Sequence, residues 1–190
     1  MNQLSDNVIV IGSGEQIPPN TEDWLKIYLA GSEDISGDPK KDWQTVFANG
    51  LVSLTNGPKA LIMFKNIKYL LINPKAAPQN PQVALENPEF VQKLNWRFDM
   101  MGQADAVFLN FLARTQNQTP FMEFGYLLTS QKLVVRSSDK YMNYPYVKGL
   151  CEKMQIPFHG SNTGYVSNIV QSMYSFIPRF QEITQLRLPE

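Results

Sequence analysis

Residues 104–112, Ala-Asp-Ala-Val-Phe-Leu-Asn-Phe-Leu, place the tightest limit on what this chain can fold into. After Asp105 the run is apolar at nearly every position, so a strand built from it must be covered on both faces; a half-exposed strand would alternate. Three more stretches read as buried strands. They are Trp24 to Ser32 (WLKIYLAGS), Ile67 to Lys75 (IKYLLINPK, stopped by Asn73-Pro74), and Lys132 to Ser137 (KLVVRS). Helical spacing falls between them: in DPKKDWQTVFANGLVSL, through Trp96, from Thr119 to Ser130, and around NYPYVKGLCEKMQ. A further amphipathic helix is expected in the C-terminal TGYVSNIVQSMYSFIPRFQEI. Strands alternating with helices imply right-handed crossovers, hence a doubly wound α/β domain with a parallel sheet flanked by helices. In such a sheet a ligand lies beyond the carboxyl ends of the strands. The turns there are AGSED, NPKAAP, NFLARTQNQT and RSSDKYMNY.

At 190 residues the chain is long enough for one sizeable core. Residues 1–25, with the short run NVIVIG and then SGEQIPPNTEDW, read as an N-terminal extension packed on a domain of residues 26–190. Seventeen basic and seventeen acidic residues give a formal net charge of +0, with no Lys/Arg cluster to track a phosphate backbone. A small molecule is therefore the expected partner, and extended nucleic acid is not. The start lacks the basic flank and long apolar core of a secretory leader, and no apolar run approaches the roughly 20 residues of a membrane span. A cytoplasmic protein is expected.

The residue types narrow the chemistry. His159 is the only histidine, and no paired His/Cys/carboxylate spacing suggests a metal. Cys151, the only cysteine, sits in a helical pattern as a small buried hydrophobe. Gly12 and Gly14 lack the third glycine and the following helix of a dinucleotide-binding turn. No cofactor is called for. Carboxylates remain, and Glu123 is the best placed, as the one charge in the otherwise nearly apolar stretch TPFMEFGYLL. Thr119 suits a helix cap and Pro120 a first helical position, which puts Glu123 in a first turn, where the helix dipole favours its charged form. Position alone leaves open whether Glu123 reacts or simply favours that turn.

Taken in order, KIYLAGS, Asp42-Trp43, INPK, Trp96, ADAVFLNF and TPFMEFGYLLTSQKLVV resemble the nucleoside 2-deoxyribosyltransferase-like family, a flavodoxin-like group of enzymes acting on N-glycosyl bonds. The resemblance runs from about Lys26 to Pro157. It implies that Glu123 is a nucleophile that attacks the anomeric carbon of a deoxyribose, forming a glycosyl-enzyme ester that passes to water or to a second base. By the same resemblance Tyr28 helps hold that glutamate, while Gly31 and Ser32 line the sugar pocket. The family also carries an acid, eight residues before Asp105, that protonates or steers the leaving base; here that position is Arg97. Asp99 lies two residues on, rotated by about 200° on a helix. It serves as the acid only if the helix is shifted, and is otherwise a surface group.

Arg97 offers a second reading, a guanidinium fork for the phosphate of a nucleotide, beside the plainer one of a surface arginine. Trp43 is expected as a pocket wall, Asn73 opens the Asn-Pro turn of the family, and Asn117, with Arg114 and Gln116, can meet base edges. Gly125 keeps the approach to Glu123 open. The family's later asparagine, often supplied to a neighbouring subunit's site, has Asn143 and Tyr146 as its nearest counterparts, and a homo-oligomer is expected. The reading is an enzyme that transfers or hydrolyses the deoxyribosyl group of a deoxynucleoside or deoxynucleotide. Its alternatives are a non-catalytic nucleotide-binding or interaction module of the same fold, and a hydrolase of another N-glycoside such as NAD.

Overall fold

The continuously apolar runs occupy the middle of one sheet. The computed structural model describes residues 1–32, 42–56, 67–75, 87–113, 115 and 118–161. In chain order these form β1 (Asn2–Ser5), β2 (Val8–Ile11), β3 (Leu25–Gly31), α1 (Trp43–Asn56), β4 (Tyr69–Ile72), α2 (Pro88–Gln103), β5 (Ala106–Phe111), α3 (Thr119–Leu127), β6 (Leu133–Ser138), α4 (Tyr144–Met154) and β7 (Phe158–Ser161). The strands lie in the order β1-β2-β4-β3-β5-β6-β7, and every pairing is parallel except that of β1 with β2. From β4 to β7 this is the flavodoxin-like order 2-1-3-4-5, so the doubly wound α/β fold expected from the sequence is the fold observed.

Alternation along each strand divides the interior into two cores. On one face Ile27, Leu29, Leu71, Phe108 and Val134 pack under α1 through Trp43, Phe47, Leu51 and Leu54. On the other, Tyr28, Ala30, Ile72, Val107, Leu109, Phe111 and Val135 meet α2, α3 and α4 through Trp96, Met100, Phe124, Leu127, Val147 and Cys151. Each helix presents its apolar residues at three- and four-residue spacing, which is why one stripe suffices to cover the sheet.

Local signals fix where the helices start. Asn87 caps α2: its Oδ1 accepts from the backbone N–H of Glu89 at 2.9 Å and of Phe90 at 3.4 Å, with Pro88 at the first position. Asp42 does the same for α1, accepting from Thr45 N at 3.3 Å and Thr45 Oγ1 at 2.6 Å. At the other end of α4, Gln155 takes a left-handed conformation (φ 56°) and its N–H closes onto the last carbonyls.

Two regions differ from the sequence reading in kind. Residues 2–11, read as part of an extension, supply β1 and β2, and β2 pairs with β4 along its whole length. The segment around His159, not among the strands read from sequence, is β7; its pairing with β6 makes it a strand despite the weak propensity of His-Gly-Ser. The C-terminal helix expected after residue 162 lies outside the described residues. Among the described residues no helix is long and apolar enough to cross a membrane.

Candidate active site

The chain reverses direction across the sheet between β3 and β5, and there the structure is built around one glycine. Gly31 ends β3 with φ 133°, and a Cβ at this position would lie 2.3 Å from the carbonyl oxygen of Asn110 in β5. Only glycine lets the two strands stay paired to their last residues. The next residue, Ser32, ties the two turns together. Its N–H donates to Asn110 O at 2.8 Å, its Oγ accepts from Leu112 N at 3.2 Å, and the same Oγ lies 3.0 Å from Thr115 Oγ1. The carbonyl of Ser32 in turn accepts the indole N–H of Trp43 at 2.8 Å. Gly31 and Ser32 therefore lie at the carboxyl end of β3, the side of the sheet on which ligands sit in this fold class.

Glu123 lies on α3, which packs against β3 and β5. The helix begins at Thr119 itself, with Gln118 as a cap whose side chain makes no capping bond, so Thr119 does not cap and Glu123 lies just past the first turn. This corrects the sequence reading, and it weakens the dipole argument, because that field decays within one turn. Tertiary charge takes its place. Glu123 is buried, 6% exposed, and its Oε1 is 3.5 Å from Nη1 of Arg97 on α2. The other terminal nitrogen of Arg97 donates to the carbonyl of Pro74 at 3.3 Å, in the turn after β4. One guanidinium thus links the middle of α2 to the middle of α3 and to the turn after β4, and it is not a surface arginine.

The remaining candidates divide by place. Tyr28 is buried on the same face of the sheet as α3 and shares a core cluster with Phe124 and Trp96. Asn73 forms a local turn, its Oδ1 accepting from Lys75 N at 3.0 Å, while its own N–H donates to Ile11 O at 2.9 Å. Trp43 is wholly buried under the opposite face, 5.7 Å from the ring of Phe108, so its link to the carboxyl end of β3 is its bond to Ser32 rather than an open ring face. Asp99 is exposed and lines a groove beside α2 with Gly14, Gln16, Trp96 and Gln103, which Arg97 does not line. The structure does not bring it to Glu123. Gly125 is exposed on α3, and a Cβ there would meet nothing within 4 Å. Asn117, Arg114 and Gln116 lie outside the described residues.

Two polar contacts at the strand ends were missed in the sequence. Asp42 is held by Lys75 at 3.1 Å, joining the starts of the segments that follow β3 and β4. Arg136, 2% exposed, donates to Asn110 Oδ1 at 2.8 Å, and in register these two and His159 form one row across β5, β6 and β7. For Asn110 the signal was available: it is the lone polar residue of an apolar strand, the same clue that marks Glu123, whereas Arg136 is followed by two serines. Burial and, second, the neighbouring charge of Arg136 hold the His159 imidazole below its ordinary range. Burial pushes the Cys151 thiol up to about 12, which suits a packing residue and not a nucleophile. Among the described residues no group of His, Cys, Asp and Glu converges as a metal site.

No curated protein matches the chain closely enough to count as a relative. A family model does, over residues 24–141, a span that runs from β3 past β6 and contains Tyr28, Gly31, Ser32, Arg97 and Glu123. That model is described as nucleoside 2-deoxyribosyltransferase like, and since it covers well over half of the 190 residues, the chain belongs to this family.

Proposed function

We propose that this protein cleaves the N-glycosidic bond of a deoxynucleoside or deoxynucleotide through a covalent intermediate on Glu123, passing the sugar to water or to a second base. The observation that carries the reading is the setting of Glu123: a buried carboxylate on the helix that packs against β3 and β5, with a cation 3.5 Å away. A carboxylate so placed can attack a carbon bearing developing positive charge, the oxocarbenium-like centre formed as the base departs. The two-step route through an ester explains why a single well-held carboxylate suffices. Tyr28, Gly31, Ser32 and Asn73 shape the sugar side of the site in this proposal. No cofactor takes part in it.

The same reading makes the working form a homo-oligomer. Met122 (73% exposed), Tyr126 and Tyr146 leave large apolar side chains open on α3 and α4, beside the site, and a second chain would cover them. The trapping experiment tests the chemistry. The protein is incubated with deoxynucleosides and their 5′-monophosphates, quenched in acid and examined by mass spectrometry for a deoxyribosyl adduct on the peptide containing Glu123. Base release by the wild type, and its loss in Glu123→Ala, is the expected result. A panel in which no substrate loses its base overturns the enzyme reading, and nucleotide binding without release would then favour a binding module.

A further inference from the structure

We infer that Arg97 sets the lifetime of the glycosyl-enzyme: its charge stabilises the Glu123 carboxylate and not the ester made from it, so it hastens the return of the ester to free enzyme. This inference rests on the Glu123 reading and concerns the half of that reaction in which the departing base takes no part. Three observations carry it. Nη1 of Arg97 lies 3.5 Å from Oε1 of Glu123. Both side chains are withdrawn from water, the carboxylate at 7% exposure and the guanidinium at 21%, so solvent and salt screen the pair less than they would on a surface. Nη2 of Arg97 donates to the Pro74 carbonyl at 3.3 Å, in the turn after β4, so a second element still holds the cation when the carboxylate charge is lost.

The charge of the site changes during the reaction. In the free enzyme a carboxylate faces a guanidinium. In the glycosyl-enzyme the carboxylate has become a neutral ester, while the guanidinium, protonated at any working pH, keeps its charge. An opposite charge within about 4–6 Å shifts the ionisation of a carboxylic acid by about 10- to 1000-fold. Esterification removes the carboxylate charge as protonation does, and it forfeits the same interaction. The transition states for making and breaking the ester are both oxocarbenium-like, with part of the charge on the glutamate oxygen. Arg97 therefore slows formation by one share of that factor and speeds decay by the remainder. The ratio of decay to formation carries the two shares together, whichever is the larger.

In formation, a carboxylate oxygen of Glu123 bonds to C1′ as the bond from C1′ to the base breaks; the electron pair of that bond goes to the base, which takes up a proton from solvent. In decay, a water oxygen bonds to C1′ as the ester bond from C1′ to Glu123 breaks. The electron pair of that bond returns to the carboxylate beside Arg97, and a proton of the attacking water passes to solvent. The two steps together consume one water and give free sugar and free base.

Rapid-quench kinetics at pH 8 test the assignment, with 2′-deoxyadenosine, 2′-deoxyguanosine, 2′-deoxycytidine, thymidine and their 5′-monophosphates as probes. Base release in a single turnover gives the formation rate. The rise and fall of a deoxyribosyl adduct on the intact protein, followed by mass spectrometry over the same time course, gives the decay rate. In Arg97→Gln the ratio of decay to formation should fall by about 10-fold or more, so that the adduct accumulates, while Arg97→Lys should stay near the wild-type ratio. Arg97→Met, with a stem of similar reach, gives the same readout if Arg97→Gln does not fold. An Arg97 that only props α2 against α3 would, when removed, change both rates in proportion. A ratio in the uncharged variant within about threefold of wild type therefore overturns the inference, as does a ratio that rises, or a lysine variant that behaves as the uncharged one. In each of these cases, base release that is lost in Glu123→Ala leaves the underlying reading standing. If no probe loses its base to any of these proteins, the Glu123 reading fails and this inference fails with it.

Discussion

Replacing Gly31 and Gly125 by alanine should move stability in opposite directions, and the sizes follow from the surroundings of each. At Gly31 a Cβ would lie 2.3, 2.7 and 2.9 Å from the O, N and C atoms of the Asn110 backbone. These atoms belong to a paired strand, so relief requires β5 to move and not a side chain to turn. A non-glycine residue at φ 133° adds backbone strain. Strain and overpacking together cost on the order of 3–5 kcal/mol. Domains carry only about 5–15 kcal/mol in total, and at this length each kcal/mol shifts the melting temperature by about 2–4 °C. Gly31→Ala should therefore melt about 6–20 °C below wild type, in a scan followed by circular dichroism. At Gly125 the added methyl group meets nothing within 4 Å, and alanine in a helix interior is better than glycine by about 0.5–1 kcal/mol. Gly125→Ala should melt a few degrees above wild type. If Gly31→Ala melts within about 2 °C of wild type, the close approach of β3 to β5 is not what fixes glycine at the carboxyl end of β3.

Other consequences can be measured separately. Ser32→Ala removes the acceptor of the buried Leu112 N–H, which should cost about 1–3 kcal/mol in urea unfolding, while Ser32→Thr retains most of it. Cys151 should resist alkylation at pH 8 until the chain is unfolded. Its raised value means that the fold favours the protonated thiol, so this contribution is complete below the unfolded value near 8.5 and is lost as pH rises toward about 12. His159 has the opposite sign. Its depressed value means that the fold favours the neutral ring, so stability is present above about 6.5 and falls as pH drops through the folded value; His159→Gln should flatten that acid limb.

The central strands were legible because burial on both faces writes itself as a continuous apolar run: β3, β4 and β5 fall within the runs read from sequence, and β6 passes the end of its run by one residue, Ser138. The edges were not. β1 is the polar tetrapeptide Asn2-Gln3-Leu4-Ser5, and β7 contains His159 and Gly160; both owe their conformation to a neighbouring strand that local propensity does not encode. At the site, Glu123 stood out as a lone charge in an apolar stretch. The partner of that charge did not, because Arg97 and Asp99 are two residues apart on one helix and only the rotation of α2 decides which of them meets Glu123. Asp99 was read either as the acid of a shifted helix or as a surface group, and in the structure it is exposed on α2, in the groove it lines with Gly14 and Gln16.

The hairpin of β1 and β2 also bears on how the protein stays dispersed. Without it β4, Tyr-Leu-Leu-Ile with every residue buried, would be the last strand of the sheet and would offer a flat row of unpaired amides flanked by apolar side chains. β2 satisfies that row but is itself apolar. It is β1, short, running in the opposite direction, polar at three of its four positions and interrupted between Gln3 and Ser5, that presents a poor template to any incoming strand. A chain lacking its first eleven residues should self-associate edge to edge and also lose the Ile11 carbonyl that accepts from Asn73 N at 2.9 Å, so this hairpin both shields the sheet edge and braces the turn after β4.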